Sequence, residues 1–278
     1  MRDKPSFTDE VKAELANVQP ARPCCHEAEL AALAGAFAGP VDGSPVDLRI
    51  PRNAVARKVV QLARAAGGQV DTLHKGATEK RPSYQLRLTL PKGRGSLDAC
   101  CARAVLRGSF LARGVMGNPA NAYHLEMTLP AASPMLEDAA SRAGIMFRRA
   151  ARRGRTLYYL KGAEPIARLL RLMGANRAVM RFEHDRIVRD MRGQANRRAN
   201  SETANVDKQM RAALQQAAAI RRLKTGDPRL TTLPAALREV AELRLAHPRA
   251  SLRELADLTQ LSRAAVANRL RRLVAVPN

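Results

Sequence analysis

The sequence predicts an α+β protein in which a pseudo-twofold platform is followed by an all-helical module. The first observation is an Ala/Gly-rich helix that opens on two adjacent cysteines and occurs twice, at Cys24–Gly39 and Cys100–Gly114. The second is that segments after each copy alternate apolar and polar residues, as half-buried strands do. The third is that 229–278 has the pattern of three short helices with a tight turn between the last two. Small residues along the repeated helix would let two such helices approach closely.

The charge of the chain indicates a polyanionic partner. The sequence contains 48 Lys and Arg against 25 Asp and Glu, a formal net charge of +23. A positive surface attracts nucleic acid and releases its counterions, so double-stranded DNA is the expected partner. Because 46% of the residues are hydrophobic, the chain is not a disordered basic tail. Its length of 278 residues suggests about two domains.

Nothing in the sequence indicates a membrane partner. No apolar run approaches the roughly 18–20 residues that a membrane span needs. The first residues, Met1 to Pro5, lack the apolar core of a signal peptide. We therefore expect a cytoplasmic, nucleoid-associated protein whose cysteines stay reduced.

Turn-forming and charged stretches divide the chain into four predicted segments. The stretch Pro91–Ser96, rich in Gly and basic residues, is the expected connector between the two halves of the platform. The segments are 1–90 for an N-terminal helix and the first half, 91–180 for the second half, 181–228 for a basic helical bridge and 229–278 for the C-terminal module. The predicted elements of the platform are helices at 6–15, 24–39, 53–66, 100–112 and from 134, with strands at 46–50, 84–90, 123–129, around 147 and at 157–160.

The four cysteines occur as two adjacent pairs, Cys24-Cys25 and Cys100-Cys101. Adjacent residues point apart on a helix, unlike the C-x₂₋₄-C spacing that wraps one metal ion. We interpret the cysteines as small apolar residues at equivalent helix entries, with a four-thiolate zinc site as the alternative. No cofactor and no metal are expected.

A run of arginines lies in the second half of the platform, between two predicted strands. We interpret it as a basic hairpin or loop that contacts DNA phosphates, with a solvated turn as the alternative. Arg49 and Arg87, on the polar faces of other strands, favour the first interpretation. Arg197 and Arg198 of the bridge are further candidates for phosphate contacts. The arginines of the run are Arg148, Arg149, Arg152, Arg153 and Arg155.

The C-terminal module has the pattern of a helix-turn-helix, with an ordinary small helical bundle as the alternative. Ser251 and Glu254 form a capping box for its second helix, and Ser262 caps its third. Ala256 would lie where these helices cross, and Leu261 would fill the turn. Gln260 departs from the Gly that often occupies the turn.

The third helix of the module carries the residues expected to bind DNA. Its apolar stripe consists of Val266, Leu270 and Leu273, and the remaining side chains lie off that stripe. Arg263 and Asn268 are the candidates for base contacts, and the later arginines are candidates for phosphate contacts. The off-stripe set is Arg263, Ala265, Asn268, Arg269, Arg271 and Arg272.

Several segments occur in a characteristic order along the chain. They are the two Cys-Cys helices, Leu106–Gly114, Arg186–Arg192, Asn196–Asn200, Thr203–Asn205 and the helix-turn-helix. Together they resemble the WhiA family of bacterial regulators, and the resemblance extends over nearly the whole chain. It implies a LAGLIDADG homing-endonuclease-like domain joined to a DNA-binding domain similar to those of sigma factors. It also implies a role in transcription linked to cell division and chromosome segregation, and to sporulation in some lineages.

The repeated helices lack the acidic residues that cleavage would need. LAGLIDADG enzymes place one acid near the end of each motif helix, where two carboxylates hold divalent ions. The second position falls on Arg113, and the first falls on Phe37 or Ala38, depending on a one-residue slip in alignment. A guanidinium repels Mg²⁺. Asp42 could substitute in the first copy, but no symmetric partner follows Gly114, so we expect no enzymatic activity.

Three functions are therefore compared. The first is a sequence-specific transcription regulator whose platform adds phosphate contacts or docks another protein, such as a sigma factor, RNA polymerase or another regulator. The second is an active or nicking endonuclease, which Arg113 argues against. The third is an architectural chromosome protein that binds DNA mainly through charge.

Overall fold

A computed structural model describes residues 5–39, 45–76, 83–90, 98–225 and 233–275. The chain divides into two compact units, Met1–Asp190 and Met191–Asn278. No helix in these described ranges is both long enough and apolar enough to cross a membrane. The predicted connector Pro91–Ser96, the break at 226–228 and Asp42 lie outside the described residues.

The first unit alternates helices with strands, and the start of a long helix, α7 (Asn176–Thr225), completes it. Two strands, Gln69–Lys75 and Gly114–Met116, and one helix, Ala163–Met173, extend the predicted order. The first of these strands is exposed over almost its whole length, so its sequence shows no apolar alternation. The helices are α1 (Phe7–Asn17), α2 (Pro23–Ala38), α3 (Asn53–Ala65), α4 (Ala99–Arg113), α5 (Pro134–Arg142) and α6 (Ala163–Met173). The strands are β1 (Val46–Ile50), β2 (Gln69–Lys75), β3 (Tyr84–Thr89), β4 (Gly114–Met116), β5 (His124–Leu129), β6 (Arg148–Arg152) and β7 (Arg155–Lys161).

Each half of the platform contributes an antiparallel sheet. The first sheet has the strand order β1–β3–β2, and the second has the order β4–β5–β7–β6. Strand residues alternate between a face packed on the helices and an outer face. In the first sheet, Leu48 pairs with Leu86 on the buried face, and in the second Leu125 pairs with Leu160. The outer faces are therefore free for polar side chains.

The helices α2 and α4 pack closely against each other in the platform. A Cβ atom added to Gly108 would lie 2.6 Å from the backbone oxygen of Glu29 and 3.1 Å from the Cβ of Ala32. Only glycine fits at such a distance. The prediction that small residues permit close approach is confirmed at Gly108, whereas a Cβ atom on Gly35 would meet no atom within 4 Å.

A buried ion network lies between these helices. Glu29 of α2 is fully buried and accepts hydrogen bonds from Arg107 of α4, from Nη2 at 2.6 Å and from Nε at 3.0 Å. Lys58 of α3 lies 3.8 Å from the other oxygen of Glu29, and burial lowers the pKa of this lysine. Arg107 also donates to the backbone oxygen of Met173 at 3.0 Å. The network fixes α3 and the end of α6 to the helix pair.

The prediction that the paired cysteines point apart is wrong. The four Sγ atoms lie within 4.8 Å of one another. Each cysteine pair lies at the start of its helix. Because α2 and α4 bring their N-terminal ends together, the two pairs converge, although neither pair alone could hold an ion. Cys25 and Cys101 are buried among alanines, as predicted, while Cys24 and Cys100 are half-buried.

Among the described residues of the second unit are the last part of α7 and three shorter helices. These are α8 (Ala235–Ala246), α9 (Leu252–Thr259) and α10 (Arg263–Val274). Within the segment predicted as a basic helical bridge, 181–228, α7 continues without a break to Thr225. Ile220 of α7 packs with Val240 and Leu270, which gives α7 a place in the core of this unit.

The helix-turn-helix consists of α9, a short turn and α10. Ala256 and Val266 are buried in the shared core, and Leu261 packs against it, as predicted. Gln260 adopts the left-handed conformation with φ 51° and ψ 27°. Glycine adopts this backbone conformation without strain, whereas in this turn Gln260 adopts it despite its side chain.

Candidate nucleic-acid interface

The helix α10 exposes one face of its surface to solvent. Ser262 caps the helix by accepting a hydrogen bond from the backbone N–H of Ala265 at 3.1 Å. Val266, Leu270 and Leu273 are buried, and Asn268, Arg271 and Arg272 are exposed, as the off-stripe assignment predicts. Ala265 is half-buried beside the cap.

Ala264 lies on this same outer face and was missed in the sequence. It precedes Asn268 by four positions and Arg271 by seven, the spacing that places residues on one face of a helix. Ala264 is exposed. The spacing from Asn268 and Arg271 was the signal that could have placed Ala264 on this face.

Arg263 opens α10 and is exposed beside a cleft of the second unit. Ser251, which completes the predicted capping box, lines the same cleft. The Glu254 carboxylate accepts from the backbone N–H of Ser251 at 2.7 Å, and the Ser251 hydroxyl accepts from the backbone N–H of Glu254 at 3.2 Å. Arg253 of α9 adds a second exposed cation here that sequence reasoning missed.

Two arginines of the module serve its packing. Arg269 was expected among the free cations of α10. It instead donates to the backbone oxygen of Ala236 at 3.4 Å and lies 3.8 Å from the Glu239 carboxylate. Arg244 is buried and donates to the backbone oxygen of Ala250 at 2.6 Å, which fixes the turn between α8 and α9. Burial lowers the pKa of Arg244.

The arginine run of the platform forms a β-hairpin. Its first arginines form β6 itself, although the strand was predicted to precede them. The turn between β6 and β7 consists of Arg153 and Gly154, with φ of 51° and 72°. Two residues with positive φ make the tight hairpin turn whose twist suits antiparallel strands. The hairpin therefore carries cations along its strands as well as at its tip.

The outer face of the second sheet concentrates these cations. The register pairs Arg148 with Tyr159 and Arg152 with Arg155, so all four side chains share this face. Lys161 lies on it too, with Nζ 5.7 Å from the centre of the Tyr159 ring. Tyr159 and Lys161 were not among the predicted site residues, although alternation along β7 places them there. Arg149 lies on the opposite side and pairs with Glu137 at 3.0 Å.

One acid, Glu126, moderates this basic face. Its carboxylate lies 3.7 Å from Arg152 and 3.3 Å from Nε2 of His124. Arg148 and Arg155, on the same face of the sheet, are exposed. The face thus retains exposed guanidinium groups suited to phosphate oxygens.

The outer face of the first sheet differs in its electrostatics. Arg87 makes two hydrogen bonds to the Asp47 carboxylate, at 2.9 and 2.8 Å, and the same contact lowers the pKa of Asp47. Arg49 lies on this face beside Asp47, opposite Gln85. Because Arg87 is already paired, the charge available to a polyanion is greater on the second sheet.

The two arginines predicted in the bridge lie on the exposed part of α7. Arg198 is paired with Glu202 one turn away, at 3.0 Å. Arg197 is exposed, like its neighbours along this stretch of the helix.

The position of the missing nuclease acids is occupied by a cation. Arg113, at the end of α4, donates to the backbone oxygens of Ala36 at 3.0 Å and Phe37 at 3.2 Å, which belong to the last turn of α2. Its guanidinium lies 5.1 Å from the centre of the Phe37 ring. Ala38 is exposed beside it. Burial and the nearby Arg155 lower the pKa of Arg113.

Family models match both units of the chain. The model of the WhiA LAGLIDADG-like domain matches residues 102–192, and that of the WhiA C-terminal HTH domain matches residues 195–276. A probable cell division protein WhiA of Symbiobacterium thermophilum is 35% identical, over 99% of this chain and 98% of that protein. Another, of Moorella thermoacetica, is 37% identical over 96% of this chain and 90% of that protein. The chain belongs to the WhiA family.

Solved structures agree with the WhiA fold. The crystal structure of full-length DUF199/WhiA from Thermatoga maritima superposes with a TM-score of 0.63 and 24% identity, covering 98% of this chain and 96% of that one. This WhiA-family chain therefore combines a LAGLIDADG-like domain with a helix-turn-helix, which also decides against the ordinary helical bundle. It is a DNA-binding regulator of the WhiA type.

Proposed function

We propose that this chain binds duplex DNA sequence-specifically as a transcription regulator, with α10 in the major groove. The observation that carries the proposal is the outer face of α10, where Ala264, Asn268 and Arg271 are exposed opposite a fully buried stripe. An asparagine can make two hydrogen bonds to adenine, and arginines on the same helix can hold the phosphates beside it.

The platform adds affinity and does not cut the DNA. The outer face of the second sheet, with Arg148, Arg152, Arg155 and Lys161, would lie against phosphates, which position a protein without reading sequence. Cleavage would need carboxylates to hold metal ions at the ends of α2 and α4. Arg113 instead places a positive charge there, in hydrogen bonds with the end of α2.

The biological role follows from the relatives. Their names describe probable cell division proteins, which supports a role in cell division and, by extension, in chromosome segregation and in sporulation where it occurs. Such a role places the protein on the nucleoid. The platform would also offer a surface to a sigma factor, RNA polymerase or another regulator.

Asn268→Ala tests whether α10 reads bases. On a duplex enriched from random sequence, this variant should lose about 1–3 kcal/mol of binding free energy, with little loss on a scrambled duplex of the same length. Arg272→Ala should lose affinity equally on both, because a phosphate contact carries no sequence information. Titration by fluorescence anisotropy at one fixed salt concentration measures the binding free energy of each variant on each duplex, and each loss is taken relative to the unaltered chain.

Arg238→Ala is the matched control, since it removes an exposed arginine from α8 of the same unit. It should bind both duplexes as the unaltered chain does. Equal losses for Asn268→Ala on both duplexes would show that Asn268 contacts the backbone, and the assignment of base reading to this face would then be wrong.

A further inference from the structure

The four cysteines form a compact cluster at the N-terminal ends of α2 and α4. The Sγ atoms of Cys24 and Cys100 are 3.7 Å apart, and those of Cys100 and Cys101 are 3.9 Å apart. All four lie within 4.8 Å of one another. The sequence contains these four cysteines and no others, so each half of the platform contributes one pair.

The separations of 3.7 and 3.9 Å match the distance between neighbouring sulfurs in a tetrathiolate metal site. Zinc binds cysteine sulfur at about 2.3 Å in a tetrahedron, which places neighbouring sulfurs about 3.8 Å apart. A disulfide requires sulfurs about 2.05 Å apart, so the cluster would have to rearrange to form one. Hard cations such as Mg²⁺ prefer oxygen ligands, whereas borderline-soft Zn²⁺ is commonly held by four cysteines in structural sites.

The surroundings of the cluster favour negative charge on sulfur. Cys24 and Cys100 lie in the first turns of their helices, where the free N–H groups and the helix dipole stabilise anions. Neither first turn contains an acidic residue. Arg22 lies 3.9 Å from Sγ of Cys100.

The two inner thiols, Cys25 and Cys101, are buried among alanines. A divalent ion would displace the thiol protons on binding, because it compensates the charge of several thiolates at once.

An open cleft leads to the cluster from solvent. It has a volume of about 490 Å³ and is lined by residues that include Arg22, Cys25, Cys100 and Arg103. An ion can therefore reach the cluster through this cleft, where Cys25 and the half-buried Cys100 form part of the wall.

We propose that Cys24, Cys25, Cys100 and Cys101 bind one Zn²⁺ ion that joins the N-terminal ends of α2 and α4. Four zinc–sulfur bonds form, and the thiol protons leave to solvent. Because cysteines fill all four positions, the ion would be structural and would carry no open site for chemistry. It would link the two halves of the platform through residues far apart in the chain.

Metal content and cobalt absorption test the site in the full-length protein. After reduction, incubation with zinc sulfate and gel filtration, the chain should retain about one zinc per molecule, measured by mass spectrometry of the metal. Cobalt(II) should give the thiolate charge-transfer band and the intense visible absorption of tetrahedral cobalt, and zinc should displace it. The Cys24→Ser/Cys100→Ser variant should lose at least nine-tenths of the bound zinc.

His26→Ala is the control, since it changes a potential ligand next to the cluster and should retain the metal. Circular dichroism would verify that the double variant is folded. If it is not, Cys24→Ser alone serves, and it should weaken the tetrahedral cobalt absorption. Unaltered protein with free thiols, no retained zinc and no thiolate–cobalt band would overturn the proposal, as would a Cys24–Cys100 disulfide that forms in place of metal binding.

Discussion

Arg113 is the residue on which the proposal of a platform without cleavage activity depends most. A carboxylate at the end of α4 would face a second one at the end of α2 and hold metal between them. The arginine instead donates to the backbone oxygens of Ala36 and Phe37. These belong to the last turn of α2, where carbonyl groups lack partners within the helix, so the guanidinium acts as a cap from the other helix.

Lys12 lies close to this arginine and is almost fully buried. Burial is the main reason why its pKa falls from 10.5 to about 7; repulsion from Arg52 and Arg113 adds to the shift, and Asp9 opposes it. Between these two values the unfolded chain binds a proton that the folded chain has released. The contribution of Lys12 to the free energy of unfolding therefore rises with pH across this window.

The pH dependence of stability tests this assignment. Between pH 7 and pH 8, the unaltered chain should gain about 1 kcal/mol more than Lys12→Met, because the methionine fills the same space without titrating. Urea unfolding of both proteins at the two pH values measures the difference. If the free energy of unfolding changed equally with pH in the two proteins, Lys12 would not be the titrating group.

At the scale of elements, the β6–β7 hairpin gives the second sheet its charge. Arg155 is exposed on its outer face, whereas Arg87 of the first sheet is held by Asp47 in a paired contact. Both are arginines on strands, and each loses one charge when changed to glutamine. They differ in whether the charge is available to DNA.

Arg155→Gln should lower the slope of log affinity against log salt by about 0.9, with no change in sequence preference. Arg87→Gln, the matched control, should leave the slope almost unchanged because its charge is already compensated. Binding measured from low to near-physiological salt gives both slopes. An equal decrease in the two variants would mean that any lost charge has the same effect, and the hairpin would then have no particular role in DNA binding.

The sequence predicted the elements whose burial pattern is periodic. The alternation in β1, β3 and β5 and the apolar stripe of α10 depend on which residues face the core, and this is visible in the chain itself. The capping serines Ser251 and Ser262 form the predicted hydrogen bonds, because a cap depends on residues that are close in sequence.

What the sequence could not predict depends on contacts between elements. The cysteine pairs converge because α2 and α4 bring their starts together, and no spacing within one pair encodes that. Arg107 meets Glu29, and Arg269 meets α8, for the same reason. The exposed strand β2 and the continuous α7 carry no apolar periodicity that would have marked their full lengths.

At the scale of the whole molecule, the net charge of +23 would bind DNA even without sequence reading. In the proposed function, specific recognition comes from the few residues of α10, and the platform adds contacts without cleavage. A purely architectural protein would have the same charge and no preference among sequences. An endonuclease would show preference and would cut.

Selection from a pool of random duplexes, at near-physiological salt with Mg²⁺ present, separates these three functions most directly. The bound fraction is sequenced, and the DNA is run on a denaturing gel. We expect an enriched motif and intact strands, which would establish a sequence-reading regulator on a platform that does not cleave. Cut strands, or intact DNA without any enriched motif, would contradict the account.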